Sequence, residues 1–379
     1  MAKHKNLHEA KINKYDEFYT QLSDIENELR HYKQHFKDKV VFCNCDDPYE
    51  SNFFKYFAMN FNSLGLKKLI ATGYSTSPIL GTELNVWTGE ETEVKERVPY
   101  VAYINEVKDM NGDGRIDLED VKILLKEKRN CRRKLHGNGK YPAGDFRSEE
   151  SISLLKQADV VVTNPPFSLF REYVQQLIEY DKKFLIIGNK NSLTFKEIFP
   201  LIKNNQLWVG CKSMSADMLF DVSDEYKQEL LKGKVGGKYR IVDGVVKGRA
   251  AAIWYTNLDI KKRHEDLILY KNYNPNDYLK FDNFDAINID KTKDIPCDYD
   301  GVMGVPITFL DKYNPDQFEI VGFGQGDIMY EHGVSQEFVD AYRKSGQKGT
   351  VHKGHPFLVY YRQDGYPVIP YFRILIKRR

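Results

Sequence analysis

The chain has no apolar run approaching the length of about 18 residues that a membrane helix needs. Its opening, Met1-Ala2-Lys3-His4-Lys5, is polar and basic, which is not the pattern of a signal peptide. Cysteine is scarce: Cys43, Cys45, Cys131, Cys211 and Cys297 include no CxxC pair and leave an odd count. That argues against a zinc site and against a disulfide framework. Excess charge of one sign is also missing, with 56 Lys and Arg against 54 Asp and Glu, a net of +2. No global basic field advertises nucleic acid, so any such contact needs a local patch. There is no internal repeat and no low-complexity tract. These absences lead us to expect a soluble, cytoplasmic protein with no membrane partner. What is present is 41% hydrophobic content, enough for a full core, in 379 residues, room for two domains or one large domain with an appended one.

The most informative stretch is Asp159-Val160-Val161-Val162-Thr163-Asn164-Pro165-Pro166-Phe167. A β-branched apolar run reads as a buried parallel strand. Two prolines, which cannot donate to a sheet ladder, end it. Ser168 follows, and Leu169 to Ile178 then carries apolar residues at helical spacing. Asn164 to Phe167 are thus predicted to form a tight loop at the carboxyl end of a strand, where open α/β sheets place their ligands. The loop suits methyl transfer to an amino group. An exocyclic amine on an aromatic base is a poor nucleophile, because its lone pair is delocalised into the ring. The side-chain oxygen of Asn164 and the carbonyl of Pro165 can hold the two amine hydrogens and free that lone pair. The ring of Phe167 can stack on a base taken out of its helix. The plainer alternative is an ordinary strand-to-helix turn.

The segments Tyr15-Asp16-Glu17-Phe18-Tyr19-Thr20, Phe42-Cys43-Asn44-Cys45-Asp46-Asp47-Pro48, Gly144-Asp145-Phe146-Arg147-Ser148 and the NPPF loop follow one another in this order. With Asp285-Ala286-Ile287-Asn288-Ile289 and Gly301-Val302-Met303-Gly304-Val305-Pro306, the chain resembles the EcoRI-type adenine-specific DNA methyltransferases. The resemblance covers most of the chain except roughly 75–140 and parts after 205. It implies a Rossmann-like, doubly wound α/β sheet with an appended mixed α+β DNA-recognition region. The catalytic domain is expected over 1–204 and the target-recognition region, with closing core strands, over 205–379. The implied reaction carries a methyl group from S-adenosylmethionine to N6 of an adenine flipped out of double-stranded DNA, with Asn164, Pro165, Pro166 and Phe167 catalytic. The implied cofactor residues are Phe18, Tyr19 and Thr20 against the methionine part, Asn44, Asp46, Asp47 and Pro48 in the first strand's loop, and Asp145 and Phe146 about the adenine. The loop 44–48 lacks the glycine usual at this position, and Thr72-Gly73-Tyr74 lacks the usual ribose-binding acid. The nearest rivals are an RNA adenine or protein glutamine N-methyltransferase, and a DNA-binding protein with a lapsed catalytic site. We expect a monomer, with any cognate restriction endonuclease acting separately.

Two further segments stand out. Asp109, Asn111, Asp113, Arg115 (through its carbonyl), Asp117 and Asp120 fall at the ligand spacing of an EF-hand-like loop, with Gly114 at the sharp turn. This predicts a structural calcium site, against the alternative of an acidic turn. Lys234, Lys238, Arg240, Lys247 and Arg249 lie in a glycine-rich, hairpin-like stretch suited to phosphate contacts and groove entry. The alternative there is an exposed turn with lysines for solubility. His352 and His355 read as polar loop residues.

Overall fold

The computed structural model describes residues 20–45, 51–73, 99–125, 131–220, 222 and 224–379. The chain forms two compact units, one of 1–192 with 209–259 and one of 193–208 with 260–379. Among the described residues no helix is long and apolar enough to cross a membrane.

The first unit is built on a large mixed sheet. Its strands are β1 (Val40–Asn44), β2 (Lys68–Thr72), β3 (Tyr100–Ile104), β4 (Cys131–Lys134), β5 (Val160–Thr163), β6 (Lys183–Asn189), β7 (Trp208–Val209) and β11 (Ala252–Thr256), in the order β4-β3-β2-β1-β5-β6-β11-β7. The four central strands are parallel, β1 pairing with β2 and β5, and β5 with β6. Every residue of β1 and β5 is buried, as expected for parallel strands covered on both faces. Parallel neighbours need crossovers, and the sequence supplies them. Ser51 caps the helix Asn52–Met59 between β1 and β2, accepting from the N–H groups of Phe53 and Phe54. The helix Phe170–Glu179 returns β5 to β6 and buries Phe170, Tyr173, Val174 and Leu177, one face at helical spacing. The flanks are antiparallel: β3 runs against β2, β4 against β3, and β11 against β6. Parallel pairing, as expected, thus holds at the centre of the sheet and not at these flanks. Gly188 on β6 lies so close to Phe170 that an added Cβ would stand 2.3 Å from the ring, which pins the start of that helix to the sheet.

A second sheet in the same unit has the order β8-β10-β9, with β8 (Met218–Phe220), β9 (Tyr239–Val242) and β10 (Val245–Ala250) antiparallel. The other unit holds a four-stranded sheet, β12 (Ala286–Asn288), β13 (Val302–Pro306), β17 (Arg373–Arg378) and β14 (Phe318–Phe323), in the order β12-β13-β17-β14. A short pair, β15 (Tyr360–Tyr361) and β16 (Pro367–Val368), and the helix Gln336–Lys344 complete it. Arg373 is buried there, donating to Asn288, to Asp290 and to the carbonyl of Tyr371.

Candidate active site at the carboxyl edge of the large sheet

From β1 the chain moves outward to β2 on one side. On the other side β5 is followed by β6. Winding reverses between β1 and β5, and the crevice of such a sheet opens at the carboxyl ends there. Asn44 closes β1, and Thr163 closes β5 and leads into Asn164. The Thr163 hydroxyl donates to the backbone carbonyl of Asn44, and the Tyr173 hydroxyl donates to the Asn44 side-chain oxygen. Asn44 is thereby held from β5 and from the helix that follows the NPPF loop. Asn164 is 5% exposed and Pro165 is buried, while Pro166 and Phe167 are half-buried. Phe167 opens a single 3-10 turn, Phe167–Leu169, before the helix proper starts at Phe170. The stiff Asn-Pro-Pro segment thus emerges from a buried strand and presents a half-buried aromatic at its rim.

Asp145 and Phe146 come to the same edge. The Asp145 carboxylate is gripped by Arg147: Oδ1 accepts from the Arg147 backbone N–H at 2.9 Å and from Nε at 3.0 Å, and Oδ2 from Nη2 at 2.8 Å. Arg147 also reaches Glu172 at 3.1 Å and lies over the ring of Tyr141. The hydrogen bond to Asp145 holds the Arg147 guanidinium well above its ordinary range, against the opposing effect of burial. Capping of the next helix falls to Ser148, which accepts from Ser151 N–H, so Asp145 has no capping duty. Phe146 is buried with its ring edge-on to Tyr173 at 5.0 Å, and its carbonyl accepts from Gln176.

Thr20, at the start of the described residues, is bridged to Phe220 of β8 and accepts Asn52 Nδ2 at its carbonyl. Phe18, Tyr19, Asp46, Asp47 and Pro48 lie outside the described residues. Sequence reasoning gave no role to four residues found at this edge: Thr72, Tyr173, Gln176 and Arg147. Thr72 closes β2 in register with Asn44. The hydroxyls of Thr20 and Thr72 and the Gln176 side-chain oxygen are buried polar atoms with no hydrogen-bond partner among the described residues. Such groups are costly unless something polar meets them. A single Thr at a strand end carries no signal that separates it from core, but its place beside Asn44 could have been inferred from the strand order.

The calcium expectation is not supported. Among the described residues no group of three His, Cys, Asp or Glu side chains could hold a metal ion. The carboxylates of the acidic loop are turned onto its own backbone. Asp109 accepts from Gly112 and Gly114 N–H at 2.6 and 2.7 Å, Asn111 from Asp113, and Asp113 from Arg115. Asp117 and Asp120 form a capping box on the helix Leu118–Leu124, and Asp120 also accepts from Met110 N–H at 2.8 Å.

The basic hairpin is present as β9–β10. Lys234 and Lys238 are exposed, and Arg240, Lys247 and Arg249 are half-buried. Both arginines converge on Asp217, Arg240 Nε at 2.9 Å. Burial raises the Asp217 carboxyl, but the two arginines more than offset this and hold it below the usual carboxylate range.

A family model described as adenine-specific methyltransferase EcoRI matches residues 6–379. The Type II methyltransferase M.EcoRI of Escherichia coli is 49% identical over 328 residues, which is 86% of this chain and 91% of that protein. The Type II methyltransferase M.MpnI of Mycoplasma pneumoniae is 38% identical over 319 residues, 82% of this chain and 83% of its own. No solved structure matches the chain. With its NPPF loop at the reversal point of a mixed sheet, and a family match running from residue 6 to the last, the chain belongs to the EcoRI family of adenine-specific methyltransferases.

Proposed function

We propose that this adenine-specific DNA methyltransferase acts on N6 of an adenine turned out of duplex DNA, at the loop Asn164-Pro165-Pro166-Phe167. The observation that carries this reading is the position of Asn164: buried, at the carboxyl end of a fully buried parallel strand, next to the point where winding reverses. We read the sheet as Rossmann-like at its centre, and the region after 205, where it does not return β7 and β11 to that sheet, as the target-recognition part.

The buried orphan atoms of Thr20, Thr72 and Gln176 fit a polar ligand such as S-adenosylmethionine. Thr20, Asn44, Thr72, Asp145, Phe146 and the segment 46–48 would hold it. When bound, it supplies an activated methyl group on a sulfonium. The chain's own work is then orientation. The Asn164 side-chain oxygen and the Pro165 carbonyl accept the two amine hydrogens and turn the nitrogen lone pair out of conjugation. Phe167 stacks on the base and keeps it from re-entering the duplex. No covalent enzyme intermediate is needed, which leaves the cysteines without a nucleophile's role. The name Type II methyltransferase, borne by the relatives, favours a modification enzyme working beside a separate cognate endonuclease.

Methylome sequencing of DNA from cells expressing the chain tests this. N6-methyladenine at one recurring DNA word is the expected result. Methyl groups confined to RNA adenine or to protein glutamine would overturn the reading in favour of its rivals.

A further inference from the structure

The hairpin β9–β10 turns through Asp243 and Gly244, both left-handed, with φ of 50° and 77°. That is the primed two-residue turn that matches strand twist. Val242 pairs with Val245, Ile241 with Val246 and Arg240 with Lys247. β8 reaches only Gly248–Ala250, so the rungs nearest the turn form a bare two-stranded ribbon. Side chains alternate between its faces. One face carries Arg240, Lys247 and Arg249 along the stem and Val242 with Val245 at the tip. On the other face Tyr239 and Val246 pack with Leu230 and Val222, and Ile241 extends past that cluster. Ile241, Val242 and Val245 are 52%, 39% and 45% exposed.

A hairpin built only for solubility has no use for three apolar branched residues at its end. The surrounding charge indicates what they meet. Residues 232–250 hold six Lys and Arg and one Asp, while the whole chain nets only +2, so positive charge is concentrated along this hairpin, behind its apolar tip. The stem is rigid, because Arg240 and Arg249 share Asp217 and Arg249 also donates to the carbonyls of Gly236 and Gly237. Both feet of the small sheet are tied to the carboxyl end of β6. Lys190 donates its ammonium to the Met214 carbonyl at 2.9 Å and its backbone N–H to the Ala251 carbonyl at 2.6 Å. β6 is the strand next to β5, which leads into Asn164. From Ala251 to Val245 the strand covers about 20 Å, more than the width of a DNA major groove, about 12 Å.

We propose that the tip formed by Ile241, Val242 and Val245 enters the duplex at the target step and fills the space left by the flipped adenine, with the neighbouring lysines on the flanking phosphates. Extruding a base costs a few kcal/mol of stacking and pairing. Apolar side chains inserted between base steps are a known way for proteins to occupy a disrupted stack. The proposal rests on the reading that N6 of a duplex adenine is the substrate.

The test compares wild type with the double variant Val242→Thr, Val245→Thr. Threonine keeps the β-branch and the strand preference, and both sites are exposed, so the hairpin keeps its fold. Two duplexes carry the DNA word found by methylome sequencing, one intact and one with an abasic site opposite the target adenine. On the intact duplex the variant should lose about ten-fold or more in methyl-transfer rate. On the abasic duplex, where the adenine has no partner to leave, it should return to the wild-type rate. Ile241→Thr should show the same pattern more weakly, which guards against a fold defect peculiar to the double variant. Equal loss on both duplexes, or no loss on the intact one, would overturn the proposal. Wild type inactive on both would bring down the substrate reading, and the proposal with it.

Discussion

The Tyr173 hydroxyl donates to the side-chain oxygen of Asn44, joining the helix after the NPPF loop to the end of the first strand. Both residues are buried. In our account one of them lines the cofactor side of the site, while the other belongs to the helix that fixes the catalytic loop.

Tyr173→Phe keeps the ring against Phe146 and removes the hydroxyl that donates to Asn44. A buried acceptor left unsatisfied costs about 1–3 kcal/mol. The variant should melt at a lower temperature and bind S-adenosylmethionine more weakly by calorimetry, because Asn44 is free to turn. Unchanged stability together with unchanged affinity would show that the contact positions nothing.

Glu28 offers a test in pH. It is buried, accepts from Cys211 and Lys212 N–H at 2.6 and 2.8 Å and from the Tyr32 hydroxyl at 2.9 Å. Burial, outweighing these donors, raises its carboxyl above the ordinary 4.5. An acid raised in this way binds its proton more tightly folded than unfolded. Its contribution to stability is therefore fully present below the unfolded value and is lost as pH rises through the folded one. Glu28→Gln cannot titrate. Urea unfolding from about pH 4 to about pH 8 should show the stability advantage of wild type over this variant shrinking as pH rises. An advantage that grows with pH would contradict the assignment.

The five basic residues of the hairpin should separate into two kinds. Lys234→Ala with Lys238→Ala removes exposed charge, so the log–log salt slope of duplex binding should flatten by about 0.9 for each lost contact, with no fall in melting temperature. Arg249→Ala leaves Asp217 with one partner and strips two backbone carbonyls of their donor, and should lower the melting temperature. An unchanged salt slope in the lysine variant would remove Lys234 and Lys238 from the DNA interface.

Much of this was legible in the sequence where the signal is local. The run Val160–Thr163, stopped by two prolines, reads as a buried strand with a stiff loop at its end, and that is what forms. Direction is another matter: hydrophobicity does not say whether a strand runs parallel, so β3 and β11 gave no warning of running against their neighbours. Contacts between distant segments are equally silent. Asp217 meets Arg240 and Arg249 across 23 and 32 positions, and Glu28 meets Cys211 across 183. The acidic loop was ambiguous for a physical reason. Carboxylates spaced to ligate a cation are also spaced to cap successive N–H groups of a tight turn, and here Asp109, Asp113, Asp117 and Asp120 do the latter.

Asn164→Ala tests the central claim most directly, because the account assigns that side chain to the reacting amine and to nothing in the cofactor pocket. Methyl transfer to duplex DNA and calorimetric binding of S-adenosylmethionine should be measured on the same preparation. The account predicts that transfer is abolished while cofactor affinity stays near wild type. Transfer at the wild-type rate would contradict it.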